Sequence, residues 1–311
     1  MTRDWHELFK SWSKPPTETE EAKGRTAADM IKDALRSDPA LQQRNFDVCP
    51  TGSYRNNTNV RLGSDIDVAV ILRDAVYFEF PSDGSLTREK LRVSDVTYGL
   101  SNFREDVGAA LLRKFGSGGV TPGDKTFNVH ESSRRLDADV TPFLLHRRYT
   151  GRKNADGSWH YFKGAETRPR KDASQRIINW HQQHYDEGVK RNEVTNRRFK
   201  RVTRILKRLR NDMMENGRMD IAAAAKPIPS FLIECLVFNA PDTCFNLEEG
   251  TYHSDVRQTI KRLWNATKDD ASCKEYREVS RLKWLFHPSQ PWSRAEVHEF
   301  LLQSWRHVGF V

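Results

Sequence analysis

A chain of 311 residues, 37% hydrophobic with 8 Trp and 16 Phe, can bury a sizeable core and is long enough for two lobes, which argues against disorder. Its net charge of +9 points towards polyanions, either nucleic acid or nucleotide phosphates, with a solvated basic surface as the plainer reading. No run of about 18 apolar residues offers a transmembrane helix, and the N-terminus "MTRDWHELFKSWSKPP" lacks a signal peptide's apolar centre. Cys49, Cys235, Cys244 and Cys273 are scattered without a CxxC pair, so ordinary thiols in a reducing cytoplasm are expected, without disulfides or zinc.

The first forty-odd residues read as helical, with Thr17 and Glu20 in capping-box spacing. "IDVAVIL" (66–72) is a β-branched run between polar segments and predicts a buried strand. "FREDVGAALLRKFG" (103–116) predicts an amphipathic helix closed by Gly116. "KTFNVHE" (125–131) and "RLDADVTPFLL" (135–145) alternate as a strand pair would, and the turn-rich 150–164 reads as a connector or surface hairpin. From about residue 173 the period changes, and 173–188, 195–217, 229–239, 252–267 and 293–308 all predict helices. The expectation is an α+β protein, with a mixed α/β part over 1–165 followed by a helical part over 166–311.

Side chains alternate along a strand, so Asp65 and Asp67 at the entrance of 66–72 project to one face. Two like charges held close repel each other unless a cation lies between them. Hard oxygen ligands of this kind suit Mg²⁺, which takes substrate phosphates as further ligands. Asp137 and Asp139 share a face of the later strand and could supply a third carboxylate. Solvated strand-end aspartates are the competing reading for a lone DxD. Upstream, Gly52 and Ser53 fit a turn whose N–H groups and hydroxyl take a phosphate.

Gly52-Ser53, eleven residues, Asp65-Ile66-Asp67 and a later "DADVTP" resemble the DNA polymerase β-like nucleotidyltransferase superfamily. The fuller string "GSYRNNTNVRLGSDIDVAV" resembles the bacterial CD-NTases, the cGAS/DncV-like cyclic-oligonucleotide synthases of CBASS anti-phage systems. Further resemblance lies in "NWHQQHYDEGVKRNEVTNRRFKRVTRILKRLRNDM" and "PSFLIECLVFNAP", so that residues 45–310 are covered. It implies a bilobal enzyme, a mixed β-sheet catalytic core and a C-terminal helical lobe, with its active site in the cleft between them. It further implies two Mg²⁺, which Mn²⁺ can replace, held by Asp65, Asp67 and a third acid lying three residues before a proline. That pattern selects Asp139, with Asp137 open as the alternative. The resemblance assigns the donor triphosphate to Gly52, Ser53, Lys207 and Ser230, and nucleobase stacking to Phe231, where relatives often carry tyrosine. Packing of Phe231 with Leu232 and Leu236 in a core is the alternative.

The segment 190–210 carries ten Lys or Arg against Glu193 alone. Within it Lys200, Arg204 and Lys207 form a stripe at i, i+4 and i+7, which on its own reads as a solvated face. His181 and His184 lack an evident third ligand and are expected in core or surface roles. The function expected is Mg²⁺-dependent joining of NTPs, ATP among them, into a cyclic di- or trinucleotide with release of pyrophosphate. A cyclic-oligonucleotide-responsive effector and a possible CBASS accessory protein are the implied partners, without a membrane. Nucleic acid is not required as activator, since no zinc ribbon is inserted. The alternatives are an RNA- or protein-modifying nucleotidyltransferase and a non-catalytic nucleic-acid-binding module built on 190–210.

Overall fold

Ile66, Val68, Val70 and Leu72 are buried while Asp67 between them is exposed, and this period of two sets the layout of the first unit. The computed structural model describes residues 3–60, 65–132 and 136–310. Residues 61–64, the end of the link between Ser53 and Asp65, fall outside them, as does Arg135. The strands are β1 (Phe46–Thr51), β2 (Ile66–Glu79), β3 (Val120–Pro122), β4 (Phe127–Val129), β5 (Ala138–Lys153), β6 (Trp159–Thr167) and β7 (Ile177–Asn179). The helices are α1 (Trp5–Trp12), α2 (Glu18–Arg36), α3 (Pro39–Gln42), α4 (Gly52–Asn56), α5 (Leu100–Phe115), α6 (His181–Val194), α7 (Arg198–Asn216), α8 (Met219–Ala225), α9 (Ser230–Asn239), α10 (His253–Ala266), α11 (Asp270–Cys273) and α12 (Arg294–Val308).

Contacts divide the chain into two units, one of Glu18–Tyr54 with Asp65–Gln182 and the other of Met1–Thr17, Arg55–Ser64 and Gln183–Val311. The sequence reading set one boundary at 165/166 and kept the first residues with the first half. The later division follows from β6 and β7, which belong to the sheet. The N-terminal helix goes to the second unit because Phe9 of α1 is buried in a core with Phe199, Val202 and Leu206 of α7.

The first unit is a seven-stranded sheet in the order β1-β2-β5-β4-β3, with β6 on the later part of β5 and β7 on β6. β2 and β5 run parallel with Asp67 opposite Asp139, and a register shift lies between Leu72 and Val76. Both strands outrun their expected lengths. β5 pairs with β4 through 138–140 and with β6 from Leu144 onward, so the predicted hairpin of 150–164 is the tip of a long ladder. One face of the sheet, through Val68, Val70, Ala138 and Val140, packs on Ala27, Ile31 and Leu35 of α2 and on Phe103, Val107 and Leu111 of α5. The odd-numbered residues Asp67 and Asp139 therefore lie on the face away from those helices.

The helix expected over 173–188 begins at His181. Before it, Ser174 turns on Asp172 through its N–H and hydroxyl, and Ile177–Asn179 pairs with 165–167 as β7. Two β-branched isoleucines suit a pleated edge better than a helix start. In the second unit α7 starts at Arg198, because Asn196 and Arg197 take left-handed backbone, and the Thr195 hydroxyl accepts the Phe199 N–H. α12 carries a reciprocal cap, with the Ser293 hydroxyl accepting the Glu296 N–H and the Glu296 carboxylate accepting the Ser293 N–H. No single helix among the described residues is long and apolar enough to cross a membrane.

Candidate active site

In the first unit β1 ends at Thr51, which pairs with Asp67, and the chain turns at Gly52 into α4. Gly52 has φ +60°, and a Cβ there would stand 1.9 Å from Asp67 Oδ2. Glycine is therefore required twice, for the left-handed backbone and for the space its missing side chain leaves to the carboxylate. Ser53 follows directly, so the Gly52-Ser53 turn and the first acidic strand meet at Asp67.

Asp67 and Asp139 are register partners across β2 and β5. Asp65 precedes β2 and is exposed. Burial, then the charges of Asp137, Asp139 and Glu131, push its carboxyl above the ordinary value. For a side chain so exposed the repulsion is the informative part, and it is the field that a cation relieves. The two alternatives for a third acid differ in their surroundings. Asp137 Oδ1 accepts the backbone N–H of Glu131 at 2.6 Å and lies 3.9 Å from His130 Nδ1. Asp139 lies on β5 itself, and its Oδ1 accepts Asn128 Nδ2 at 3.3 Å.

Among the described residues no three Asp, Glu, His or Cys side chains are gathered closely enough to hold a metal ion by themselves. Mg²⁺ rarely relies on an all-protein cage; one or two carboxylates plus substrate phosphates suffice. Asp67 and Asp139, register partners with Asp67 against Gly52, offer hard carboxylate oxygens that would suit such an ion together with a substrate phosphate.

In the second unit the basic stripe is not a solvated face. Arg204 and Lys207 are 4% and 2% exposed. Arg204 donates to the carbonyls of Ser13 and Asn57 at 2.8 and 2.5 Å, and burial with the nearby Arg201 charge brings its guanidinium down to about 10. Lys207 Nζ donates to the Thr58 carbonyl, the Thr58 hydroxyl and Glu234 Oε2 at 3.2, 3.1 and 2.9 Å. In this arrangement the three Lys207 donors are directed inside, to Thr58 and Glu234. Burial alone would raise the Glu234 carboxyl, but the Lys207 charge and the bonds from His184 and Thr58 hold it well below the usual range. The asparagine-rich stretch after Ser53 is in this way clamped by two buried cations, a role its sequence did not announce.

Ser230 opens α9, and its hydroxyl accepts Arg210 Nη2 at 2.7 Å. Leu232 and Leu236 are buried, whereas Phe231 is 38% exposed beside His184 and Trp292 with ring centres 5.7 and 6.1 Å away. Phe231 keeps an open ring instead of packing in the core. His184 bonds Glu234 through Nε2 at 2.9 Å, and His181 in the first unit stands edge-on to Phe143 at 5.5 Å. Arg210, within the basic segment 190–210, and Asn128, within 125–131, are not singled out by the sequence, since each is recognised only by its partner.

Residues 29–115 match the nucleotidyltransferase domain, and residues 186–309 match the cGAS/DncV-like nucleotidyltransferase C-terminal helical domain. The chain is 39% identical over 308 residues to a cyclic dipyrimidine nucleotide synthase CdnE of Legionella pneumophila, covering 99% of both proteins. It is 36% identical over 310 residues to another CdnE of that name from Cecembia lonarensis, covering all of each. The fold matches the Rhodothermus marinus CdnE c-UMP-AMP synthase solved with Apcpp and Upnpp, at a TM-score of 0.81 and 26% identity over 99% of this chain and 98% of that one. A dependence on divalent metal goes with the nucleotidyltransferase domain. The two domain matches and the full-length relatives together identify the chain as an enzyme of the cGAS/DncV-like nucleotidyltransferase family, the bacterial cyclic-oligonucleotide synthases.

Proposed function

We propose that this enzyme joins pyrimidine nucleoside triphosphates into a cyclic dinucleotide with release of pyrophosphate. The observation that carries the reading is full-length likeness to two cyclic dipyrimidine synthases, combined with Asp67 and Asp139 in register beside Gly52. An acceptor ribose hydroxyl attacks the α-phosphorus of the donor, the α–β phosphoanhydride bond breaks and pyrophosphate leaves; a second such transfer, within the linear intermediate, closes the ring and releases a second pyrophosphate. Asp65, Asp67 and Asp139 are the proposed ligands of two Mg²⁺, replaceable by Mn²⁺. When bound, such ions neutralise the triphosphate and lower the pKa of the attacking hydroxyl. The Asp139 oxygen not held by Asn128 is the proposed acceptor of that hydroxyl's proton. Gly52 leaves room for the Asp67 carboxylate, and Ser53 with the turn's N–H groups takes the donor phosphates.

Ser230, held by Arg210, is proposed as a further phosphate contact, and the open face of Phe231 as a base-stacking surface. Lys207 acts indirectly, by fixing Thr58 after the phosphate turn. The enzyme's place in anti-phage signalling, with an effector that answers to the product, rests on the family. A nucleotidyltransferase acting on RNA or protein, or a non-catalytic binding module, has no matching relative among these.

The test is incubation with each α-labelled NTP, singly and in pairs, with Mg²⁺ or Mn²⁺, followed by phosphatase and mass spectrometry. A phosphatase-resistant product from UTP or CTP is expected, and Asp65→Ala with Asp67→Ala abolishes it. A resistant product containing purines alone overturns the pyrimidine choice. Absence of any resistant product with every nucleotide mix overturns the synthase reading.

A further inference from the structure

We infer that Asn128 is a positioning residue that aims the third metal-ligating carboxylate; this rests on reading Asp65, Asp67 and Asp139 as the metal-binding set. β4 is only three residues long, and its outer two, Phe127 and Val129, are buried at 3% and 0% exposure on the side of the sheet that α5 covers. Alternation then puts Asn128 on the opposite face. There it is the register partner of Asp139 on one side and of Thr121 on the other. The pairings continue, Asp139 to Asp67 and Asp67 to Thr51, so one row of polar residues crosses five strands.

Within that row the Asn128 amide turns its donor to Asp139 Oδ1 at 3.3 Å. A carboxylate free to rotate about χ2 offers either oxygen in many directions. One tethered through Oδ1 presents Oδ2 in a narrow range. The donor is a neutral amide, so it orients the carboxylate without adding a charge that would compete with a cation for it. Asp137 has its own tether in the Glu131 backbone N–H, which no side-chain exchange removes. The Asn128 bond is therefore the element that separates the two otherwise similar acids, and Asp139 is the one whose aim depends on a side chain.

Outer partners of metal ligands typically cost 10–100-fold in metal affinity or activity when removed. The informative pair is Asn128→Val and Asn128→Thr, equal in shape and both suited to a strand, with only threonine able to donate across to Asp139. Mn²⁺ binding to the full-length protein is read directly by electron paramagnetic resonance, beside kcat, KM and the melting temperature. Expected is a roughly 10–100-fold weaker Mn²⁺ affinity and a lower kcat for Asn128→Val at unchanged melting temperature, with partial recovery in Asn128→Thr. Wild-type Mn²⁺ binding in Asn128→Val, while Asp139→Ala loses it, overturns the inference alone. Wild-type binding in Asp139→Ala overturns the metal-set reading itself. Should Asn128→Val not fold, Asn128→Ala is judged by the same readings.

Discussion

Lys207 and Glu234 sit 2.9 Å apart with side chains 3% and 4% exposed, and the Thr58 hydroxyl donates to the same Glu234 oxygen at 2.6 Å. Removing Lys207 takes the nearest opposite charge from Glu234 and leaves it the His184 and Thr58 bonds, at a cost of up to about 3–5 kcal/mol, whereas removing both ions with apolar replacements is often close to neutral. Lys207→Met is accordingly expected to lower the melting temperature by on the order of 10 °C, and Lys207→Met with Glu234→Leu to recover most of that. Thermal unfolding followed by circular dichroism decides it, and a single variant that melts within a degree or two of wild type contradicts the interior role. That Asp67 and Asp139 share one face of paired strands was legible in the sequence, because each lies in a local alternating pattern. The role of Lys207 was not, because its partners Thr58 and Glu234 lie 149 and 27 residues away and a helical stripe of cations looks the same whether buried or wet.

Among the elements, the strand 66–72 and the helices 229–239, 252–267 and 293–308 were readable from period and caps alone, as was the pairing of β4 with β5. β1 was missed because Asp47 and Pro50 break any alternation, and β7 because three residues carry no period. The turn joining β1 to α4 is the element on which the site depends most directly. In Gly52→Ala the new methyl must displace the Asp67 carboxylate and the backbone must accept φ +60°. A left-handed alanine costs about 1–2 kcal/mol, and a misplacement near 1 Å about 100-fold in rate. Gly52→Ala is thus expected to fold and to lose roughly two orders of magnitude in kcat; a labelled-nucleotide assay showing near-normal turnover contradicts the close approach of Asp67.

For the molecule as a whole, pH bears on a buried ion cluster of the first unit. His146 and Glu166 are both fully buried, with Nδ1 2.9 Å from Oε2, and Arg176 donates to the same carboxylate. Burial opposes the charge on each. The His146 bond, then the Arg176 bond and charge, nevertheless bring Glu166 down to about 2, while Glu166 and Glu79 raise His146 above its ordinary value. The Glu166 contribution to stability is present above its unfolded pKa near 4.3 and is lost as pH falls from there towards about 2. The His146 contribution is complete below about 6.5 and is lost as pH rises through its elevated folded value. Melting temperatures from pH 3 to 9 are expected to fall on both sides, with the alkaline limb shallower in His146→Gln; an unchanged alkaline limb in that variant assigns the effect elsewhere.

The division of the chain has a consequence for how it is made. Segments 1–17 and 55–64 belong by their contacts to the unit completed only by residues 183–311. During synthesis the sheet unit can form once residue 182 has left the ribosome, yet Phe9 and Thr58 must wait for α7 and α9. Until then Phe9 lacks its core and the chain after the phosphate turn has no clamp. The acidic strands are therefore held within the sheet unit before Asn57 and Thr58, which follow the Gly52 turn, gain their anchors on Arg204, Lys207 and Glu234.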